Sequence, residues 1–285
     1  MDYFLTWGSN PWGQEILTHA SWSLFWASLF AGFAFLVAHA SYMVFSAHRK
    51  RDAAETDRME AARPDLPAKI QRHSGVARAF HWVMAAAMFV LLFTAFLPVT
   101  GVQFPWVTWH WIAGLVLTAS IIFHIIHASF WLDFWSIWVG PKDIPEFKAE
   151  LLRDLGHEGA GPKSGKYPLG NRLYHLGIVF VGLAAVVTGV VMMKRVDTPL
   201  FLRDSYAWFG DATWGFTYVL HGVSGVGLVG LVIAHVYFAV RPDKWWITKG
   251  MLLGWITRRQ YLEHHDPNRW PVEHSTTTAH PTGRQ

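Results

Sequence analysis

The chain has 285 residues, of which 52% are hydrophobic and only 15% charged, with 17 Trp, 20 Phe and a formal net charge of +4. Soluble domains carry about 25% charged residues, so this balance excludes an ordinary water-soluble domain and points to lipid as the solvent. There is no cysteine, which excludes disulfides, cysteine-held iron–sulfur clusters and thioether-attached groups built by this chain. The sequence carries no phosphate loop, metal-hydrolase motif or evident nucleophile, and no nucleic-acid partner is expected.

A bilayer core takes about 20 mostly apolar residues per helix. Five segments meet that length: 21–46, 76–98, 106–131, 173–193 and 214–240. The fold expected is therefore an all-α integral membrane protein with five transmembrane helices. The first segment is too long for a signal peptide, and basic residues follow it rather than precede it, so it reads as a retained anchor. Trp and Tyr gather near several span ends, as interfacial belts do. Residues 273–285 read as a disordered tail.

Charge sets the expected topology. The segment before the first span carries Asp2 and Glu15 but no Lys or Arg, whereas residues 47–79 carry eight, 132–172 six, 194–213 three and the chain from Arg241 onward seven. A five-span chain thus puts 21 of its 24 Lys and Arg on one side. That side is the cytoplasm by the positive-inside rule, which leaves the N-terminus outside and the C-terminus inside. The basic face fits topology and contact with anionic lipid. Asp143, Glu146 and Glu150 are the carboxylates there that would serve proton delivery, against the plainer reading that they are merely solvated.

Sixteen histidines are many for this length, and imidazole at membrane depth is costly unless it has a task. His81 falls one turn into the second span and His110 at the start of the third. His221 and His235 lie in the fifth, 14 residues apart. At 100° per residue they return to within about 40° of one face, with a rise of about 21 Å. One helix then offers an imidazole in each leaflet, as two stacked porphyrins would require. By depth, His81 suits His235 and His110 suits His221. Two neutral imidazoles favour low-spin iron fit for electron transfer. Gly114, Gly222, Gly225, Gly227 and Gly230 leave room for a flat macrocycle or for a neighbouring helix.

Spacing leaves alternatives open. Each histidine alone also fits a plain interhelical hydrogen bond. His110 and His124 are again 14 apart, so the third span could serve both leaflets, and His39, His127 and His175 are further candidates. His19, His48, His73, His157, His264, His265, His274 and His280 fall in loops or at helix ends and read as solvated. A haem-free anchor or helical transporter would instead gather polar residues at mid-membrane, whereas the paired histidines lie nearer the two interfaces.

Several short motifs run in a specific order: Arg78-Ala79-Phe80-His81-Trp82, His110 with Gly114, Lys142-Asp143-Ile144-Pro145, Gly165-Lys166-Tyr167, Val187-Thr188-Gly189-Val190, His221 with Gly225, His235-Val236-Tyr237, Lys249-Gly250-Met251 and His264-His265. Through them the chain from about Gln71 to Trp270 resembles the gamma subunit of membrane-bound formate dehydrogenase, a di-haem cytochrome b. The resemblance implies a division into an added anchor with a basic linker (1–70), a four-helix di-haem domain (71–272) and the tail (273–285). It implies two b haems, with His81 and His235 holding the cytoplasmic-side one and His110 and His221 the outer one, and it leaves His124 outside the shared motifs. It implies an iron–sulfur subunit and a molybdenum or tungsten catalytic subunit on the periplasmic side of a bacterial inner membrane, and quinone reduction near the cytoplasmic face. Family members can carry Asn directly after Gly-Lys-Tyr, near the quinone. Here Pro168 stands there, without a backbone N–H, so the implied quinone residues are Tyr167, Gly170 and Asn171. Similar anchors serve other molybdoenzymes and nickel–iron hydrogenases.

Overall fold

The computed structural model describes residues 3–45, 53–154 and 163–272. His48, His157, His274 and His280, expected to be solvated, and the 273–285 segment, expected to be a disordered tail, lie outside the described residues. The chain opens with a short antiparallel hairpin, β1 (Leu5–Ser9) and β2 (Glu15–Ala20), and continues through α1 (Trp22–Phe45), α2 (Ala53–Ala62) and β3 (Lys69–Gln71). Then come α3 (Gly75–Phe96), α4 (Trp106–Trp131), α5 (Ile144–Asp154), α6 (Leu169–Met192) and α7 (Asp211–Val240), followed by α8 (Trp245–Leu253), β4 (Trp255–Thr257) and α9 (Arg258–His264). Five helices are long and apolar enough to cross a bilayer: α1, α3, α4, α6 and α7. The expected helical membrane fold with five spans is what the chain forms, with two small antiparallel strand pairs added to it.

Two boundaries move. The fourth span begins at Leu169 rather than 173, and the fifth at Asp211 rather than 214. Pro168 caps α6, since its fixed φ suits a helix start and its missing N–H is not needed there. Gly170 and Asn171 therefore sit in the first helical turn, with the Asn171 amide donating to the Pro168 carbonyl at 3.0 Å.

The spans form two tight pairs, α3 with α4 and α6 with α7, joined more loosely through α4–α6 and α3–α7. Helix α1 lies outside on α7, where Ser28 donates to the Val226 carbonyl (3.3 Å) and Phe25 stacks on Phe96 of α3 at 4.4 Å. The glycines of α7 serve helix packing. A Cβ at Gly222 would meet Ala20 at 3.2 Å, one at Gly227 Val181 at 3.2 Å, and one at Gly230 Ser28 at 3.6 Å. Gly215 is obligatory, because its Cβ would lie 1.9 Å from the Leu17 carbonyl oxygen of β2. The hairpin thereby covers the start of α7 and defines one end of the bundle.

The opposite end is closed by a small cap. Strands β3 and β4 pair Ile70 with Ile256, and Leu66, Ile70, Trp246, Ile256, Tyr261 and Leu262 enclose a core. Arg72, 2% exposed, is buried in it, stacked over Trp246 and Trp270, with Nη1 donating to His265 Nε2 at 2.9 Å. The other ring nitrogen, Nδ1, donates to the Gly165 carbonyl at 2.7 Å. On α3, Arg78 donates to the Met251 and Leu252 carbonyls of α8.

His265 is thus not solvated, as a tail residue was expected to be, but wholly buried. It joins the 163–167 segment to the rest of the cap. His264 also packs, its ring parallel to Trp246 at 4.4 Å, and His73 is half-buried. Asp143 and Glu146 are buried as well. Arg172 holds Asp143 at 2.7 Å through both of its terminal nitrogens, and Arg269 holds Glu146 at 2.7 Å. Buried carboxylates demand such partners, and the pairing takes them out of a free proton-relay role. The Arg172 guanidinium also keeps the Asp143 carboxyl below its usual range.

Burial, with the Arg72 cation as the next cause, pushes the His265 pKa down from 6.5 to about 3; burial also pushes His73 to about 3. Below pH 6.5 the unfolded segment takes up protons that the folded cap refuses. Cap stability is therefore full above that pH and falls as pH drops from 6.5 toward 3. The melting temperature in detergent should fall between pH 7.5 and 5.0, and His265→Gln, which cannot titrate, should reduce that slope.

Candidate functional site

Four histidines from three helices face one another in two pairs. The ring centroids of His81 on α3 and His235 on α7 are 6.4 Å apart, and those of His110 on α4 and His221 on α7 are 6.2 Å apart. The first pair lies toward the cap and the second toward the hairpin. Metal–imidazole bonds run about 2.0 Å, and a ring nitrogen lies about 1.1 Å from its ring centre, so two rings across one metal have centroids about 6.2 Å apart. Both pairs have that separation.

The hairpin-end pair is oriented by its surroundings. Thr94 of α3 donates its hydroxyl to the Val90 carbonyl (2.7 Å), so its oxygen accepts from His110 Nδ1 at 2.8 Å. Thr188 of α6 donates to the Ala184 carbonyl (2.6 Å) and accepts from His221 Nδ1 at 3.0 Å, while the Ala185 carbonyl accepts from the same nitrogen at 3.1 Å. A carbonyl only accepts, so the proton sits on Nδ1 and Nε2 keeps the lone pair a metal needs. Gly189 leaves room for the ring, since a Cβ there would lie 3.1 Å from His221 Cε1. At the cap end Tyr174 of α6 stacks on His235 at 4.9 Å and 24°.

The donor set fits a haem b in both pairs: neutral rings, opposed at the right separation, with a fixed tautomer at one end. When bound, such a group carries one electron at a time. Thr94 and Thr188 escaped the sequence reading as orienting residues. The signal was partly there, since Thr188 and Gly189 lie inside a shared motif, but a threonine four residues beyond its own backbone acceptor looks like ordinary helix packing.

Other histidines sort differently. Nδ1 of His39 hydrogen-bonds the Tyr237 hydroxyl at 2.9 Å, tying α1 to α7. His127 stacks between Phe123 and Trp131. His124 faces His175 of α6 rather than His235, at 6.4 Å between centroids. Of the residues expected near quinone, Tyr167 is half-buried, its ring 6.5 Å from His73, and burial raises its pKa. Gly170 is exposed, and Asn171 is half-buried on the first turn of α6. Tyr167 precedes α6 and the other two lie in its first turn, at the cap end of the bundle.

A family model described as prokaryotic cytochrome b561 matches residues 72–254, which takes in all four facing histidines. The chain belongs to the prokaryotic cytochrome b561 family. It is 25% identical over 218 residues to the cytochrome b556 subunit of formate dehydrogenase from Haemophilus influenzae, covering 71% of this chain and 82% of that protein. It is 24% identical over 218 residues to the cytochrome b556 subunit of the nitrate-inducible formate dehydrogenase of Escherichia coli K12, covering 70% and 89%. The resemblance drawn from the motifs is thereby met by curated relatives, and membership of a cytochrome b family brings haem b to this fold.

Removing an orienting hydroxyl should loosen the group it positions. Thr94→Val and Thr188→Val should each weaken haem b retention by roughly 10- to 100-fold, measured as the rate of haem transfer to an apoglobin acceptor. Thr→Ser at either position, which keeps the hydroxyl, should stay near wild type.

Proposed function

We propose that this chain is the cytochrome b subunit of a membrane-bound dehydrogenase of the formate dehydrogenase type, passing electrons between a periplasmic catalytic module and the quinone pool through two bis-histidine b haems. The observation that carries this reading is the pair of imidazole couples, 6.2 and 6.4 Å between centroids, sharing α7 at two depths. His110 and His221 would hold the haem nearer the hairpin, and His81 and His235 the one nearer the cap. The named relatives are formate dehydrogenase subunits, which supports an iron–sulfur subunit and a molybdenum or tungsten catalytic subunit as partners.

Orientation follows from charge. With 21 of the 24 Lys and Arg on the cap side of the spans, the cap faces the cytoplasm and the hairpin the periplasm of a bacterial inner membrane. Electrons would enter at the hairpin-end haem, move along α7 to the cap-end haem and reduce quinone there, with Tyr167, Gly170 and Asn171 near its head. Quinone reduction at that face draws protons from the cytoplasm, while substrate oxidation releases them outside, so charge is separated without a proton pump.

The test is haem stoichiometry by pyridine haemochrome in the purified chain. Two b haems are expected in the wild type and one in His81→Ala or His221→Ala, with His124→Ala keeping both. In the assembled complex, His221→Ala should abolish formate-to-quinone flow by at least 100-fold yet leave dye-linked formate oxidation intact. Retention of both haems in His221→Ala refutes the ligand scheme.

A further inference from the structure

One corner of the cap-end leaflet holds more unspent hydrogen-bonding capacity than the rest of the described residues. Nine buried side-chain polar atoms lack a partner there and elsewhere, and five of them gather between the second half of α4, the 132–143 segment and the start of α6. They are Nδ1 of His124, His127 and His175, Nε1 of Trp138 and Nε of Arg172. Buried polar atoms without partners carry a free-energy cost, and a cluster of them calls for a ligand.

The geometry specifies what kind. His124 and His175 face each other at 6.4 Å, with Phe80 4.6 Å from the first ring and Trp138 edge-on to the second at 5.7 Å. Arg172 donates to the Trp138 carbonyl, which sets the indole against His175. The terminal nitrogens of Arg172 are spent on Asp143, so that guanidinium is already paired. What remains is the Trp138 indole N–H and the Arg172 Nε–H, which donate, and imidazole Nδ1 atoms that donate in one tautomer, set between aromatic faces. Such a site suits a neutral ligand with carbonyl acceptors and flat apolar faces.

The flanks are apolar and open. Ile122, Phe123 and Leu173 are all exposed on the helix surfaces beside the corner, so a lipid-borne molecule reaches it from the bilayer. Phe80, against His124, precedes His81 on α3, and His175 follows Tyr174, whose ring stacks on His235 at 4.9 Å, so the corner lies at the depth of the cap-end histidine couple. Asn171 stands one turn before His175 on the same helix face, which joins the corner to the expected quinone residues.

We infer that His124 and His175, with the Trp138 indole, form the hydrogen-bonding pocket for a quinone head, holding its carbonyl oxygens beside the cap-end couple. This rests on the proposed electron-transfer function and names the residues at its terminal step. In that step the quinone would take two electrons, delivered one at a time by haem held at the cap-end couple, and two protons from cytoplasmic water, giving a quinol. The imidazoles and the indole fix the head by N–H donation to its oxygens.

The experiment uses the purified full chain, haem-loaded in detergent, with 2-methyl-1,4-naphthoquinone as probe. Binding is measured by equilibrium dialysis, and re-oxidation of dithionite-reduced haem is followed at the α band. His124→Leu and His175→Leu should each weaken binding at least tenfold and slow re-oxidation in proportion, with wild-type haem content. His124→Gln and His175→Gln, which restore an N–H donor, should recover most of the affinity. Leu variants that bind like wild type overturn the pocket. Loss of a haem in either variant also overturns it, by making the couple an iron ligand. A wild type whose reduced haems are not oxidised by the probe overturns the electron-transfer reading itself.

Discussion

The rest of the structure depends on how imidazole is accommodated in an apolar bundle. A buried ring has two nitrogens to satisfy, and leaving either unpaired is costly. At the hairpin end one nitrogen of each ring is taken by a threonine hydroxyl, which aims the other at the facing ring. These contacts also hold the helices together. Thr94 on α3 reaches His110 on α4, and Thr188 on α6 reaches His221 on α7, so each tight helix pair contains one such bond. The facing histidines then span the looser joins between pairs. Close packing thus lies within the pairs, and the facing histidines lie between them.

Helix α7 bears both couples because of where it sits. It touches α6, α1, α3, the N-terminal hairpin and α8. A helix with that many neighbours has little surface left for side chains, and its glycines show the consequence: Gly215 and Gly222 face the hairpin, Gly227 faces α6 and Gly230 faces α1. Added bulk at Gly215 would displace backbone rather than a flexible side chain. The same crowding fixes the rotation of α7 about its axis, which is what keeps His221 and His235 on a common face over 14 residues.

The spans and the four facing histidines were legible because they rest on periodic signals. Apolar length marks the helices, and a 14-residue interval restores a helix face whatever surrounds it. Boundaries were less legible at α6, where Pro168 looked like a loop residue but is a helix cap. The cap was not legible at all. His265 and Arg72 lie 193 positions apart, and their contact at 2.9 Å leaves no local pattern; a histidine in a polar tail is indistinguishable from a solvated one until the fold closes over it. Yet Gly165, Gly250 and His265 all stood in the shared motifs. A Cβ at Gly250 would press on Arg72 and Ile256 at 3.3 Å, and Gly165 supplies the carbonyl that His265 needs. Those motifs mark the contacts of the cap as much as the redox site.

The cap has an electrostatic consequence as well. Arg72 is buried against aromatic rings and a neutral imidazole rather than a carboxylate, and burial lowers its pKa only to about 10, so it stays cationic at neutral pH. Lys166 is half-buried nearby; burial and the Arg72 charge lower its pKa. A redox centre gains negative charge when it is reduced, and fixed cations shielded from water stabilise that state more than solvated ones do. The neighbouring His73 stays neutral and cannot compete for the role. A haem held by His81 and His235 would therefore have its reduced form favoured by the cap, whereas the hairpin end orients its rings with uncharged threonine hydroxyls. With a haem at each couple, as proposed, that asymmetry would favour the electron at the cap end over the hairpin end.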